Sequence, residues 1–280
     1  RDYRNGRDLT DKPRGVKVID AFGLSAEQLR SQYPAVFQWL LNRVKPERDA
    51  KGSSKDGAGY AKLWWLHGKP RQEMRKQLAG LPRFIATVET AKHRTFQFLD
   101  ASILPDNKLI AIALSDAFHL GVLSSHLHGS WALAAGSWLG VGNDPVYVKS
   151  RCFETFPFPD EDTGLTPELH QTIASLAEQI DHHRKRVLGL ALSNQDKASK
   201  NLTLTGLYNI LDKLRQNQPL TPVDKVLHEQ GLVSLLRSLH DELDAAVLQA
   251  YGWHDLGPVP WGNAPAQPAW TQLLLTRLVA

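Results

Sequence analysis

Tyr147-Val-Lys-Ser-Arg-Cys-Phe-Glu-Thr-Phe-Pro-Phe-Pro-Asp160 sets three phenylalanines and two prolines into one short span, with Lys149 and Arg151 directly ahead of it. Each proline lacks an N–H and pushes its predecessor towards an extended conformation, so this span cannot be helical. It reads as a short basic strand feeding a stiff aromatic–proline buttress. After Pro159 the character changes. Asp160-Glu-Asp-Thr-Gly164 is an acidic hinge, and the chain beyond it is almost all helical pattern. The stretch therefore divides the chain into a mixed α/β domain, 1–160, and a mostly helical C-terminal domain, 161–280. The fold class is α+β.

Upstream, Asp116–Ala135 repeats apolar residues every three or four positions, the pattern of one buried amphipathic helix. Lys108–Leu114 is an apolar strand or the lead-in to that helix. Arg83–Glu89 and Arg94–Leu99 are rich in β-branched and aromatic residues and form a hairpin-like pair joined at Lys92-His93-Arg94. Pro70 opens a short basic helix that Gly80 ends. Lys51–Gly59 is a flexible loop by composition. Ser25 caps a helix running to about Val44, broken or kinked at Pro34, and Val16–Phe22 is a short strand. Downstream, Thr166-Pro167-Glu168 opens a helix to about Leu190, and Ser193–Asn201 is a polar linker. Leu204–Arg215 is helical, a further helix runs from Thr221 to about Tyr251, and Gly257–Pro268 is irregular. Trp270–Val279 begins a helix that the end of the sequence cuts short.

The chain has 280 residues, 42% apolar and 22% charged, an ordinary globular composition. One cysteine, Cys152, excludes an internal disulfide and a cysteine-built zinc site and fits a reducing cytoplasm. No apolar run reaches the ~20 residues of a spanning helix. Residue 1 is arginine and the sole methionine is Met74, which points to a piece of a longer protein. The net charge of +4 is uneven. Residues 1–160 hold 23 Lys+Arg against 16 Asp+Glu, residues 161–280 hold 10 against 13, and residues 42–94 hold 13 against 5. Such an excess attracts a polyanion, because each cation set on a phosphate releases condensed counterions. A solvated lysine-rich face is the plainer reading of a charge run. Tyr60, Trp64, Trp65 and Phe84 inside the run shift the balance towards a binding surface.

Other constellations carry less. Gly57-Ala-Gly59 and Gly140-Val-Gly142 lack the strand-to-helix context of a nucleotide loop and read as turns. Asp106-Asn-Lys108 has the spacing of a nuclease motif but sits in a turn without an acidic partner. His119 and His126 could share a helical face, yet a third metal ligand is missing. His240 and Asp244 form an ordinary i,i+4 pair. The chain contains no Pro-Pro dipeptide, so the loop with which amino-methyltransferases hold a flipped base is absent. No catalytic residue and no metal site is assigned.

The basic–aromatic pieces are more informative. Trp64-Trp65-Leu-His-Gly-Lys-Pro-Arg71 places two indoles beside Lys69 and Arg71, with Arg75 one helical turn beyond. Arginine can read guanine with its fork, whereas lysine mostly neutralises phosphate, and phosphate contact outweighs base contact for any single residue. For Trp64 and Trp65, stacking on a ligand and packing in a core stand level.

Taken together, Asn5-Gly-Arg-Asp-Leu9, Tyr33-Pro34 with Val44-Lys-Pro-Glu-Arg48, Trp64-Trp65 with Lys69-Pro-Arg71, and Arg83-Phe-Ile-Ala-Thr87 with Thr90-Ala-Lys-His-Arg94 form an ordered series. It continues through Leu120–Ser125 with His128 and Trp131, Phe153–Pro159, Leu207-Tyr-Asn209, Leu239–Asp244 and Tyr251-Gly-Trp253. The series resembles the target recognition region of MmeI-like DNA methyltransferases and related single-chain restriction–modification enzymes. The resemblance implies a bacterial, cytoplasmic parent that methylates adenine N6 with S-adenosylmethionine, the cofactor bound in a catalytic domain lying outside this sequence. This region would read the major groove of double-stranded DNA, with no cofactor and no catalysis of its own, and would partner that catalytic domain. Lys69, Arg71, Arg75, Lys92, His93, Arg94, Lys149 and Arg151 are the DNA-contact candidates on charge and placement. The alternatives are a non-catalytic interaction or scaffold module with a basic solvated face, and a stand-alone hydrolase or nuclease, for which no catalytic cluster is found.

Overall fold

The computed structural model describes residues 1–141, 144–193 and 202–280. In chain order the elements are β1 (Tyr3–Arg4), α1 (Gly6–Thr10), α2 (Ala26–Gln32), α3 (Pro34–Arg43), α4 (Lys45–Ala50), α5 (Lys55–Lys62) and α6 (Gln72–Leu78). Next come β2 (Arg83–Val88), β3 (Gln97–Asp100), β4 (Leu104–Pro105) and β5 (Leu109–Ile112). They are followed by α7 (Ala117–Ser124), α8 (His126–Ala135), β6 (Ser137–Leu139), β7 (Asp144–Val146) and α9 (Lys149–Cys152). The remainder is helical: α10 (Pro167–Ser193), α11 (Leu204–Arg215), α12 (Pro222–Gln230), α13 (Val233–Ala250) and α14 (Ala266–Val279). The fold is α+β, with small sheets ordered β3-β2-β5, β1-β4 and β6-β7.

Two compact units result. One comprises Arg1–Tyr3, Gly15–Gly80 and Ser102–Leu104; the other comprises Arg4–Arg14, Leu81–Ala101 and Pro105–Ala280. The units do not divide at residue 160, because the three-stranded sheet and the long helices share one of them.

In the first unit, Ser25 caps α2 in a reciprocal box with Gln28, and Pro34 starts α3 where its missing N–H costs nothing. The two helices bury Leu29 and Leu40 against Ala21 and Trp64. Trp64 meets Phe37 edge-on at 5.4 Å, and the Trp65 indole N–H donates to the Leu24 carbonyl at 2.9 Å. Both tryptophans are therefore packing residues. The expected loop at Lys51–Gly59 is half helix, since Ser54 caps α5 by accepting from the Gly57 amide. Gly57 is required there, because a Cβ would stand 1.8 Å from the Lys51 carbonyl oxygen. The expected strand Val16–Phe22 reduces to a brief pairing, Tyr3 N–H to Val16 O and Val18 N–H to Arg1 O, both at 2.9 Å.

In the second unit, β2 is the central strand, antiparallel to β3 on one side and β5 on the other, with Phe84, Ile85 and Ala86 fully buried. The helix expected over Asp116–Ala135 is two helices. Ser125 is extended and caps α8 with its hydroxyl. α7 crosses α10 at Gly121, where a Cβ would lie 2.5 Å from Ile173 Cγ2. Likewise Gly231 and Leu232 separate α12 from α13 within the single helix expected from Thr221 to Tyr251. Beyond Ser193, the expected linker to Asn201 lies outside the described residues.

The edge of β3 explains why the second unit continues across residue 160. An edge strand exposes unpaired N–H and C=O groups that must be met. Here α10 meets them: Asp181 accepts the Phe98 amide at 3.3 Å and Arg184 donates to the Phe96 carbonyl at 2.9 Å. Glu178 on the same helix pairs with Arg83 of β2 at 2.5 Å, and that guanidinium covers the Phe98 ring. The aromatic–proline stretch joins the same core. Phe156 is buried and meets His128 edge-on at 4.5 Å, while the Tyr251 hydroxyl donates to Pro157 O at 2.6 Å.

Candidate nucleic-acid interface

Charge is distributed by unit. The first unit holds 13 Lys+Arg against 7 Asp+Glu, the second 20 against 22. The whole positive excess of the chain thus belongs to the smaller unit. Of the 13 cations in residues 42–94, five are ion-paired: Lys45, Lys51, Arg75, Lys76 and Arg83. Arg48, Lys92 and Arg94 donate to neutral oxygens of the protein. Arg43, Lys55, Lys62, Lys69 and Arg71 remain, exposed and without an ion pair among the described residues. These five are the cations ready for an outside anion.

The eight candidate residues separate accordingly. Lys69 and Arg71 stand exposed in the loop before α6, and Arg71 adopts a left-handed backbone at φ 54°. Arg75 is not a free cation. Its guanidinium forms two bonds to the Asp20 carboxylate, at 2.8 and 3.0 Å, and a third to Pro70 O at 2.7 Å. Burial raises the Asp20 pKa, but the bonds and charge of Arg75 outweigh it and hold the group below its ordinary value.

Lys92 and His93 both engage Asn209 of α11, at 2.6 and 2.9 Å, so the β2–β3 connection is fastened to a helix. Arg94 is also withdrawn. It donates to Thr87 Oγ1 at 3.1 Å and to the Val88 carbonyl, and it lies over the Tyr147 ring at 5.0 Å. Burial lowers its pKa to about 10. A guanidinium spent in this way braces the sheet. Lys149 and Arg151 lie on the short helix α9, where a strand was expected, and both are exposed. Arg151 uses one N–H on the Gly136 carbonyl at 2.9 Å, and Lys149 makes no ion pair among the described residues.

That Arg151 bond leads to a feature that charge and motif did not reveal. Gly136 precedes the β6–β7 pair, which exposes Trp138 (51%), Leu139 (54%) and the neighbouring Val141 (96%). Three exposed apolar side chains on the segment that Arg151 holds at Gly136 suit contact with bases and phosphates together. The signal for it was Trp138-Leu139 directly before the Gly140 turn, apolar residues where a turn needs none.

His126, His128 and His240 are structural. His128 is fully buried and bonded to the Tyr147 hydroxyl at 2.9 Å, with its pKa lowered to about 3 by burial and then by the Arg94 charge. His126 packs on Trp261 and Trp270, and its backbone N–H donates to Asp244 at 2.6 Å. His240 receives a bond from the Tyr208 hydroxyl at 2.6 Å. Among the described residues no group of three His, Cys, Asp or Glu could hold a metal, and no helix is long and apolar enough to cross a membrane.

The chain is similar to known proteins in sequence and in fold. Residues 25–160 match the family model described as MmeI, target recognition domain. Curated proteins give no match. Among solved structures, the chain resembles the type IIL restriction–modification enzyme MmeI in complex with DNA, at 18% identity and a TM-score of 0.65. The similarity covers 99% of this chain and 30% of that one, so the helical region shares the fold and the chain spans less than a third of that protein. Over residues 25–160, just under half of its length, this chain is similar in sequence to the MmeI target recognition domain.

Proposed function

We propose that the chain is the sequence-specific, double-stranded DNA recognition region of a restriction–modification enzyme. In this reading the parent transfers a methyl group from S-adenosylmethionine to adenine N6 through a catalytic domain outside this sequence. The observation that carries the proposal is the set of exposed cations in residues 42–94 that make no ion pair among the described residues, Arg43, Lys55, Lys62, Lys69 and Arg71, within a segment similar to the MmeI target recognition domain. Lys69, Lys149 and most of the others neutralise phosphates. Arg71, with its fork, is the best placed to read a base edge. In the second unit, Trp138, Leu139 and Arg151 supply a further contact. Arg75 in the first unit, and Lys92, His93 and Arg94 in the second, act indirectly by fixing the backbone around them.

Duplex titration at low and moderate salt tests the proposal. Binding that weakens steeply with salt supports it, because each phosphate contact adds about 0.9 to the log–log slope. Absence of binding at both salts favours the scaffold reading.

A further inference from the structure

Arg71 is one of three non-glycine residues with positive φ among the described residues, at 54°, in a conformation that brings an L side chain close to its own carbonyl. Such strain persists only where the surroundings over-determine it. At Arg71 one neighbour holds both flanking carbonyls. The Arg75 Nε–H donates to Pro70 O, just before Arg71, at 2.7 Å, and the Arg75 backbone N–H donates to Arg71 O at 3.1 Å. Pro70 fixes a further torsion. Arg75 is itself held, since both of its terminal nitrogens bond the buried Asp20 carboxylate and its guanidinium stacks over Phe22 at 4.4 Å. Asp20 is pinned in turn by Arg1 at 3.4 Å and by the Phe22 amide at 3.4 Å.

We infer that Asp20 and Arg75 are positioning residues that lock the Lys69-Pro70-Arg71 turn in a strained conformation and so present the Arg71 guanidinium to DNA. The inference rests on the proposed DNA contact at Arg71. A lysine at 75 would keep the charge but could not bond Pro70 O and both Asp20 oxygens together. A glycine at 71 would adopt the same backbone without strain, so stability is expected to hold or rise while binding falls. Opposite responses of stability and binding mark a residue kept in place for function.

The test is a double-mutant cycle on the 280-residue chain, with a labelled mixed-sequence duplex as probe and thermal unfolding measured in parallel. Arg71→Ala and Arg75→Lys should each weaken duplex binding by roughly tenfold. In the Arg71→Ala background, Arg75→Lys should add less than about twofold, since positioning has no side chain left to act on. Arg71→Gly should weaken binding like Arg71→Ala and leave the melting temperature unchanged or about 2 °C higher. If Arg71→Ala weakens binding but Arg75→Lys binds as the native chain does, or its effect persists undiminished in the double variant, the positioning role is overturned and the DNA contact stands. If Arg71→Ala itself leaves binding unchanged, the contact is overturned, and the positioning role with it.

Discussion

The Asp181 carboxylate, buried on α10, accepts the backbone N–H of Phe98 on the edge of the three-stranded sheet at 3.3 Å. One turn later Arg184 answers the Phe96 carbonyl. A helix from the C-terminal region thus completes the hydrogen bonding of a sheet formed by residues 83–112.

A piece ending at residue 160 should therefore be unable to hold that sheet. It would lose the partners of Phe96 and Phe98 and would expose Phe118 and Val122, which pack in the core with Ile173 and Ile180. Fully burying each aliphatic side chain is worth about 1.5–3 kcal/mol. Amide exchange should find the amides of β2, β3 and β5 unprotected in residues 1–160 and protected in the whole chain, while the first unit, which has its own core, can stay folded in both. Native-like protection of the sheet in the short piece would contradict this packing.

Arg184 is almost wholly buried, and among the described residues it has no carboxylate within ion-pair distance. Its Nε–H donates to the Tyr208 hydroxyl at 2.8 Å. A guanidinium can only donate, so the tyrosine proton goes to His240 Nε2 at 2.6 Å, and the His240 proton sits on Nδ1. Arg184→Lys should cost about 2–4 kcal/mol, more than Arg184→Met, because lysine keeps the buried charge while losing the fork. Urea denaturation gives the order. A lysine variant as stable as the native chain would reject the fork as the reason for arginine.

Acid should weaken the fold early. Burial, with nearby cations, lowers the pKa of His126 to about 4, of His128 to about 3 and of His240 well below 6.5. Below pH 6.5 the unfolded chain gains protons that these folded histidines refuse, so stability falls with acidification. The change is about 1.4 kcal/mol per pH unit per histidine. Asp244 acts in the opposite sense. Burial raises its pKa to about 7, so between pH 7 and 3.8 the folded state holds a proton that the unfolded state has lost. The histidines outnumber Asp244, and His183, whose pKa burial also lowers, adds to them, so the net effect from pH 6.5 to 5 is a loss of stability. Denaturant midpoints at pH 7 and 5.5 measure it, and equal stabilities would refute the buried neutral histidines.

The cations divide into two kinds with separable signatures. Lys69→Ala and Lys149→Ala should leave the melting temperature unchanged and lower the salt slope of duplex binding by roughly one unit each. Arg94→Ala should instead lower the melting temperature, because Thr87 Oγ1 and the Val88 carbonyl lose their donor. In that variant the salt slope should stay as it is in the native chain. The reverse assignment in both experiments would invalidate the sorting of cations by their partners.

Sequence separation decided which features were legible from the residues alone. Local signals held: Ser25 marked the start of α2, Pro34 the break before α3, and β-branched and aromatic residues marked β2 and β3. The stretch Phe153–Pro159 did identify a seam of the core. Long-range pairing was not legible. Nothing adjacent to Arg75 in sequence announces Asp20, 55 positions earlier, and nothing beside Phe98 announces Asp181, 83 positions later. Those two pairings turned a counted cation into an ion-paired one and put residues on both sides of 160 into one compact unit. The composition shift there was real, but a change from mixed to helical pattern does not by itself separate two cores.

Sequence-specific recognition of duplex DNA is best tested by selecting from a random-sequence duplex pool with the whole chain at moderate salt. The expected result is enrichment of one short motif, lost in the Arg71→Ala variant. Binding without enrichment, or no retained duplex at all, would contradict it.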